Sequence, residues 1–232
     1  MANKLRWLGH AAWQLTTSKE KVFLVDPWLS GNPVAALNIA DLGRADYVLL
    51  THDHGDHASD APAVVRQTGA TLIAQPETTA RYVGAGVPQE KALANGSGMN
   101  IGGTVDLDGV KVMMVEAYHS SETGTPAGYI LTLEDGKVIY FAGDTGLHAN
   151  MATWGQLFDI DVAVVPIGGH FTMDGFLAAH AVRMLGAKVA VPTHYKTFPL
   201  LAQSADEFIQ HLNEQSPTTR VQVLEVGETF EF

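Results

Sequence analysis

Apolar residues recur along this chain in short runs that are either β-branched and continuous or alternate with polar positions. The runs are "KLRWLG", "AWQLTT", "KVFLVD", "DYVLLT", "TLIA", "VKVMMVEA", "AGYILTL", "KVIYFAG", "VAVVPI", "KVAVPT" and "VQVLEV". Each has strand length and most end in a turn signal, which predicts a chain rich in β-structure. Between the runs the spacing lengthens to that of amphipathic helices over 59–67, 77–83, 149–158, 175–185 and 204–213. Ser59 and Ser204 are the expected N-caps, the second with Glu207 in a capping box. Hairpin-like strands open each of two phases, with turn glycines in "DGVKV" and "EDGKV", and strand–helix alternation closes each. The expected architecture is α/β: two similar halves, 1–118 and 119–232, each a sheet covered by helices on one side, packed as a four-layer sandwich. No Pro/Ser-rich linker or low-complexity tract separates them, so one domain over 1–232 is expected.

Chemistry enters at "VLLTHDHGDH", residues 48–57, where a buried-strand pattern gives way to His52, His54, Asp56 and His57. Clustered imidazoles and carboxylates gain little from one another unless they bind something, and a metal is the candidate. A tight turn after a strand can direct His52 and His54 at one ion and Asp56 with His57 at a second. A dinuclear centre then needs further His and Asp residues at other strand ends, where loops of an α/β sheet converge. His119 follows "VKVMMVEAY", Asp144 stands in "GDTG" after "KVIYF", and His194 stands in "PTHY" after "KVAV".

Composition narrows the setting. The chain has no cysteine, so disulfides and thiolate ligands are excluded, and any transition-metal site must use imidazole and carboxylate. Its 232 residues, 46% of them hydrophobic, suffice for a sizeable core. With 14 Lys+Arg against 25 Asp+Glu the formal charge is −11, which disfavours a nucleic-acid partner. No apolar segment approaches the ~20 residues of a membrane span, and the N-terminus lacks a signal-peptide pattern. A cytoplasmic protein is expected, with no membrane partner and with a symmetric homo-oligomer as one open alternative.

The ordered set of motifs resembles the metallo-β-lactamase superfamily: an early Asp (Asp26 in "VFLVDPW"), H-x-H-x-D-H, then His119, Asp144 and His194. The resemblance spans essentially the whole chain. It implies the αββα sandwich, with His52, His54 and His119 on one metal, Asp56, His57 and His194 on the other, and Asp144 as the bridge. The second motif position is His54 rather than the Glu of the flavodiiron branch, which favours hydrolysis over electron transfer. The best-known zinc β-lactamases use a Cys that this chain lacks. "WLGHA", "DPWLSGNP", "PIGGHFTMD" and "PTHYKTFP" are most similar to short bacterial metal-dependent hydrolases, a branch similar to L-ascorbate-6-phosphate lactonase and, in "WLGHA", to N-acyl phosphatidylethanolamine phospholipase D.

Around this set, Asp26 is expected to orient an imidazole or the metal-loop backbone, with a plain strand-end turn as the alternative. His10 is expected beside the site, or else as an interior histidine with its bonds satisfied. His170 and Thr172 in "GGHFTMD", and Tyr195 and Lys196 after the last ligand, are the expected substrate-pocket residues for an anionic small molecule. Asp174 is either part of that loop or the N-cap of the next helix, and a solvated Lys196 is the alternative to an anion contact. His148 and His180 are expected to be structural. The expected activity is hydrolysis of a small-molecule ester, lactone, amide or phosphodiester. Two divalent ions ~3.5–4 Å apart would activate a bridging water, with Asp56 accepting its proton and His119 or the Gly168–His170 loop steadying the oxyanion. Zinc suits the ligands, and manganese, nickel or iron could occupy them. The alternatives are a non-catalytic metal-dependent metabolite-binding module and a metal oxidoreductase acting on a thiol.

Overall fold

The structure, a computed structural model, describes residues 1–232. Thirteen strands follow in chain order: β1 (Lys4–Gly9), β2 (Ala12–Thr16), β3 (Val22–Val25), β4 (Tyr47–Leu49), β5 (Thr71–Ile73), β6 (Thr104–Leu107), β7 (Val110–Glu116), β8 (Ala127–Thr132), β9 (Val138–Phe141), β10 (Val162–Pro166), β11 (Val189–Thr193), β12 (Arg220–Val221) and β13 (Thr229–Glu231). Helices are α1 (Gly55–Ala58), α2 (Ala61–Thr68), α3 (Pro76–Gly84), α4 (Leu93–Gly96), α5 (Asn150–Leu157), α6 (Gly175–Leu185) and α7 (Asp206–Gln215). None is long and apolar enough to cross a membrane.

Two compact units result. The first comprises Met1–Thr104, Ser120–Thr125 and Leu224–Phe232, and the second Val105–His119 with Pro126–Val223. Their bounds differ from the halves expected at roughly 1–118 and 119–232. The C-terminal strand β13 pairs antiparallel with β1, which returns the chain's end to the first unit, and 120–125 also belong there.

In the first unit the sheet order is β13-β1-β2-β3-β4-β5. It is mixed: β13–β1, β1–β2 and β2–β3 pair antiparallel, whereas β3–β4 and β4–β5 are parallel. Register aligns Leu24, Val48 and Leu72 across the parallel strands, and these join Val64 and Val65 of α2 and Tyr82 of α3 in one apolar cluster. Phe23, Val25, Leu49 and Ile73 on the intervening positions are also buried. Burial on both faces explains why these strands read as continuous apolar runs rather than alternating ones.

In the second unit the order is β12-β11-β10-β9-β8-β7-β6. β7, β8 and β9 form an antiparallel meander, and β9 through β12 continue in parallel. Every residue of β9 and β10 is buried, and α6 lies against α5, α7 and β10.

The expected helices occur, with differences at their starts. α2 begins after Asp60 rather than Ser59: Ser59 closes α1, its N–H donating to Gly55 O, while the Asp60 carboxylate accepts the backbone N–H groups of Leu29 (2.7 Å) and Ser30 (2.6 Å). The Ser204–Glu207 capping box does not form: α7 is preceded by Ala205, and the Ser204 hydroxyl bonds the Asp206 carboxylate instead. Of "VQVLEV" only Val221 is strand, as the second residue of β12, and the short β6 and β13 stand outside the expected runs.

Candidate metal centre

In each unit the candidate ligands stand just beyond the carboxyl ends of strands. Parallel pairing aligns Val25 of β3 with Leu49 of β4, so Asp26 and the loop after β4 emerge side by side. The Asp26 N–H donates to Leu49 O (3.0 Å), and its carboxylate receives the Thr51 N–H (2.8 Å), the Thr51 hydroxyl (2.6 Å) and His57 Nδ1 (2.8 Å). Because a carboxylate only accepts, His57 carries its proton on Nδ1, and Nε2 is then the nitrogen that could bind a cation. The same logic passes through Thr51. Its proton is committed to Asp26, so its oxygen accepts from His52 Nδ1 at 3.0 Å, and His52 also presents Nε2. Asp26, His52 and His57 bring ligand atoms within 4.8 Å of one another.

His54 precedes α1, the single turn that carries Asp56 and His57, and its Nδ1 stands 3.0 Å from His52 Nε2. That spacing is close to the roughly 3.3 Å edge of a tetrahedron built on ~2.0–2.1 Å zinc–nitrogen bonds. The tautomers fixed by Asp26 and Thr51, together with this spacing, fit a divalent cation. His10, wholly buried in the tight turn between β1 and β2, places Nε2 3.3 Å from Asp56 Oδ2 and meets His57 edge-on at 5.7 Å.

The second unit gathers its own set. Asp144 Oδ2 lies 2.9 Å from His194 Nε2 and 3.6 Å from His119 Nε2, so one carboxylate oxygen faces two imidazoles from different loops. The loops are tied together by Thr145: its hydroxyl accepts the Tyr118 N–H at 2.9 Å, and its carbonyl accepts the Met173 N–H at 3.2 Å. Gly168 permits the approach of the "PIGG" loop to His194, because a Cβ there would stand 2.3 Å from His194 O. His10, Asp26 and His194 all hold the left-handed backbone conformation (φ 55°, 44° and 58°), as does Lys196 (φ 64°). Such strain in non-glycine residues concentrates at functional sites.

The remaining sequence candidates separate by environment. His170 is exposed and Thr172 half-buried on the loop before α6. Asp174 is the N-cap of α6, its Oδ1 accepting the Leu177 N–H at 2.8 Å. Tyr195 is wholly buried, which puts its ring in the interior, and Lys196 stands over that ring at 5.6 Å. His148 is buried beneath Tyr118 in a 4.9 Å ring stack; burial pushes its pKa down, partly offset by Glu116 with an oxygen 3.7 Å away.

The sequence reading passed over Thr51 and Asp53. Asp53 is buried, and burial alone would raise its carboxyl pKa. Donors from Thr123, Ser121 and Arg81 outweigh that and hold it well below the usual carboxylate range. The signal available was a carboxylate set between two ligand-type histidines, with a cationic Arg81 on a helix downstream.

Comparison with known proteins places this geometry in a family. Residues 21–195 match the model of the beta-lactamase superfamily domain. A UPF0173 metal-dependent hydrolase of Nitratidesulfovibrio vulgaris (strain DP4) is 46% identical over 229 residues, covering 99% of this chain and 95% of that protein. One from Methanopyrus kandleri is 42% identical, covering 98% and 99%. Among solved structures, Igni18, a metallo hydrolase of the archaeon Ignicoccus hospitalis, superposes with a TM-score of 0.90 at 36% identity over 100% of this chain and 99% of that one. The metallo-beta-lactamase fold protein YhfI of Bacillus subtilis, at 12% identity, shares the fold with a TM-score of 0.76. With its two mixed sheets and flanking helices this chain has that fold, belongs to the metallo-β-lactamase superfamily, and is a metal-dependent hydrolase.

Proposed function

We propose that the two sets of ligands act together, within one domain, as a dinuclear centre that hydrolyses an ester, lactone, amide or phosphodiester bond of an anionic small molecule. The observation that carries this reading is Asp144, one oxygen of which faces both His119 and His194, as a bridging ligand requires. His52, His54 and His119 would hold one ion, Asp56, His57 and His194 the other, and Asp144 both. Zinc is the cation best matched to imidazole and carboxylate, with manganese, nickel and iron as substitutes. When bound, such ions supply an activated water and polarise the scissile group.

The chain's own residues do the rest. Asp56 accepts the proton of the attacking water, and His10 at its Oδ2 holds the carboxylate in orientation. His119 and the Gly168–His170 loop steady the developing oxyanion. His170, Thr172 and Lys196 meet the anionic part of the substrate, with the Tyr195 ring supporting Lys196. A cytoplasmic, homo-oligomeric enzyme that binds neither nucleic acid nor membrane completes the reading, in keeping with its net charge of −11.

Elemental mass spectrometry on protein purified without added metal, beside a panel of lactone, ester and phosphodiester substrates, tests it. About two ions per chain and turnover that stops on chelation are expected. A chain that takes up no zinc or manganese would overturn the reading.

A further inference from the structure

We propose that Asp53, the residue between the first two motif histidines, is a positioning residue for the metal centre: it clamps the segment that leaves His119 onto the loop that carries His52 and His54. The inference rests on the dinuclear reading above.

Its carboxylate collects donors from three consecutive residues of that segment. Oδ1 accepts the Ser121 hydroxyl (2.7 Å) and the Glu122 N–H (2.7 Å). Oδ2 accepts the Thr123 N–H (3.0 Å), the Thr123 hydroxyl and an Arg81 guanidinium N–H (2.7 Å). The Asp53 N–H returns a bond to Ser121 Oγ at 3.4 Å. From α3, Arg81 also pairs with Glu122 (2.7 Å) and the Thr78 hydroxyl donates to Thr123 O (3.2 Å). Gln75 Oε1, just before the helix, accepts the Thr125 N–H (2.5 Å). Gly124 makes the tight passage past Gln75 possible, because it has φ 65° and a Cβ there would stand 2.6 Å from Gln75 Oε1.

Two features go beyond a structural staple. The clamp's own chain neighbours are the imidazoles: Asp53 lies one residue from His52 and from His54, and its first hydroxyl partner, Ser121, lies two from His119. The intervening Ser120 brings its hydroxyl to 3.4 Å from His54 Nε2. Moreover, the segment belongs to the first unit while the chain on both sides of it belongs to the second, so its position is set by these bonds rather than by a strand. A side chain at position 53 that accepts fewer bonds releases the segment and blurs the placement of His54 and His119. Asn would turn an NH2 toward donors that need an acceptor.

The test is cobalt(II) titration of the metal-free full-length protein, read by calorimetry and by the visible d–d bands, with melting temperature measured alongside. Wild type, Asp53→Asn, Asp53→Glu, the milder Ser121→Ala and a control, Asp161→Asn, are compared. Asp161 is another buried carboxylate; it binds two lysines and the Val138 N–H at the amino ends of β9 and β10, whereas Asp144 and His194 follow the carboxyl ends of strands. Expected is a loss of about 10- to 100-fold in affinity for one equivalent in Asp53→Asn, with shifted bands, partial recovery in Asp53→Glu and a smaller loss in Ser121→Ala. Asp161→Asn should melt lower with affinity and bands unchanged. If Asp53→Asn also melts lower while binding both equivalents as wild type does, the positioning role is overturned and the dinuclear reading stands. Should Asp53→Asn fail to fold, wild-type affinity in Ser121→Ala would overturn it. Wild-type protein that binds no cobalt would overturn both.

Discussion

Oδ2 of the buried Asp26 accepts the Nδ1 proton of His57 across 2.8 Å and, at 2.6 Å, the hydroxyl of Thr51 that fixes His52. One oxygen thereby sets the tautomers of two imidazoles. Asp26→Asn should weaken affinity for zinc by about 10- to 100-fold while every expected ligand remains in place. Competition titration against a chromogenic chelator reads this directly, and an unchanged dissociation constant would show that the two rings are oriented by other means.

Asp144 is expected to govern stoichiometry rather than affinity alone. On the proposed dinuclear reading wild type should hold about two ions per chain, and Asp144→Ala should retain about one or fewer and lose hydrolysis. Metal content by elemental analysis after exhaustive dialysis decides the matter. Undiminished content in the variant would remove Asp144 from the ligand set.

Gly168→Ala adds one methyl group against the carbonyl oxygen of His194, where an ideal Cβ would sit at 2.3 Å. The atom met is backbone, which cannot swing aside. Destabilisation of about 1–3 kcal/mol is expected, together with weaker metal binding as the loop after β11 shifts. Urea unfolding of the metal-free and metal-loaded proteins separates the two effects, the loaded form showing the larger deficit.

The acid limb of stability should carry the signature of Asp161. Burial would raise its pKa, yet the Val138 N–H (2.9 Å) and the ammonium groups of Lys137 (3.0 Å) and Lys188 (3.1 Å) lower it on balance. A depressed folded-state pKa stabilises the fold above the unfolded value of ~3.9 and ceases to do so as pH falls through the folded value. The urea midpoint of Asp161→Asn should therefore lie below that of wild type at pH 7, and the gap should narrow progressively below about pH 4. A gap independent of pH would assign the bond network a purely steric role.

Periodicity carried much of the fold into view, and the reasons are specific. β3, β4, β9 and β10 are buried on both faces, so their residues form uninterrupted apolar runs. α6 matches its expected span because Asp174 caps it and Gly186, in the left-handed conformation, stops it. β6 and β13 escaped notice because "TVDL" and "TFE" are short and partly exposed, so burial writes little pattern into them. The caps failed because Ser59 closes α1 instead and the Ser204 hydroxyl bonds the Asp206 carboxylate. At the site, His52, His54, Asp56 and His57 were legible as a local motif, and His119, Asp144 and His194 from their common place after strands. Thr51 and Asp53 were not, because their importance lies in partners 25 and 68–70 residues away.

The left-handed backbone at His10 and His194 bears on how such a protein changes over generations. Glycine would relax the main chain at either position and Asn or Asp would relieve part of the strain, but each loses the imidazole. A lineage screened only for heat resistance, with catalysis no longer scored, should accumulate glycine at 10 and 194 before it alters the surrounding apolar strands. A lineage screened for turnover should hold both histidines even as the interior repacks around them.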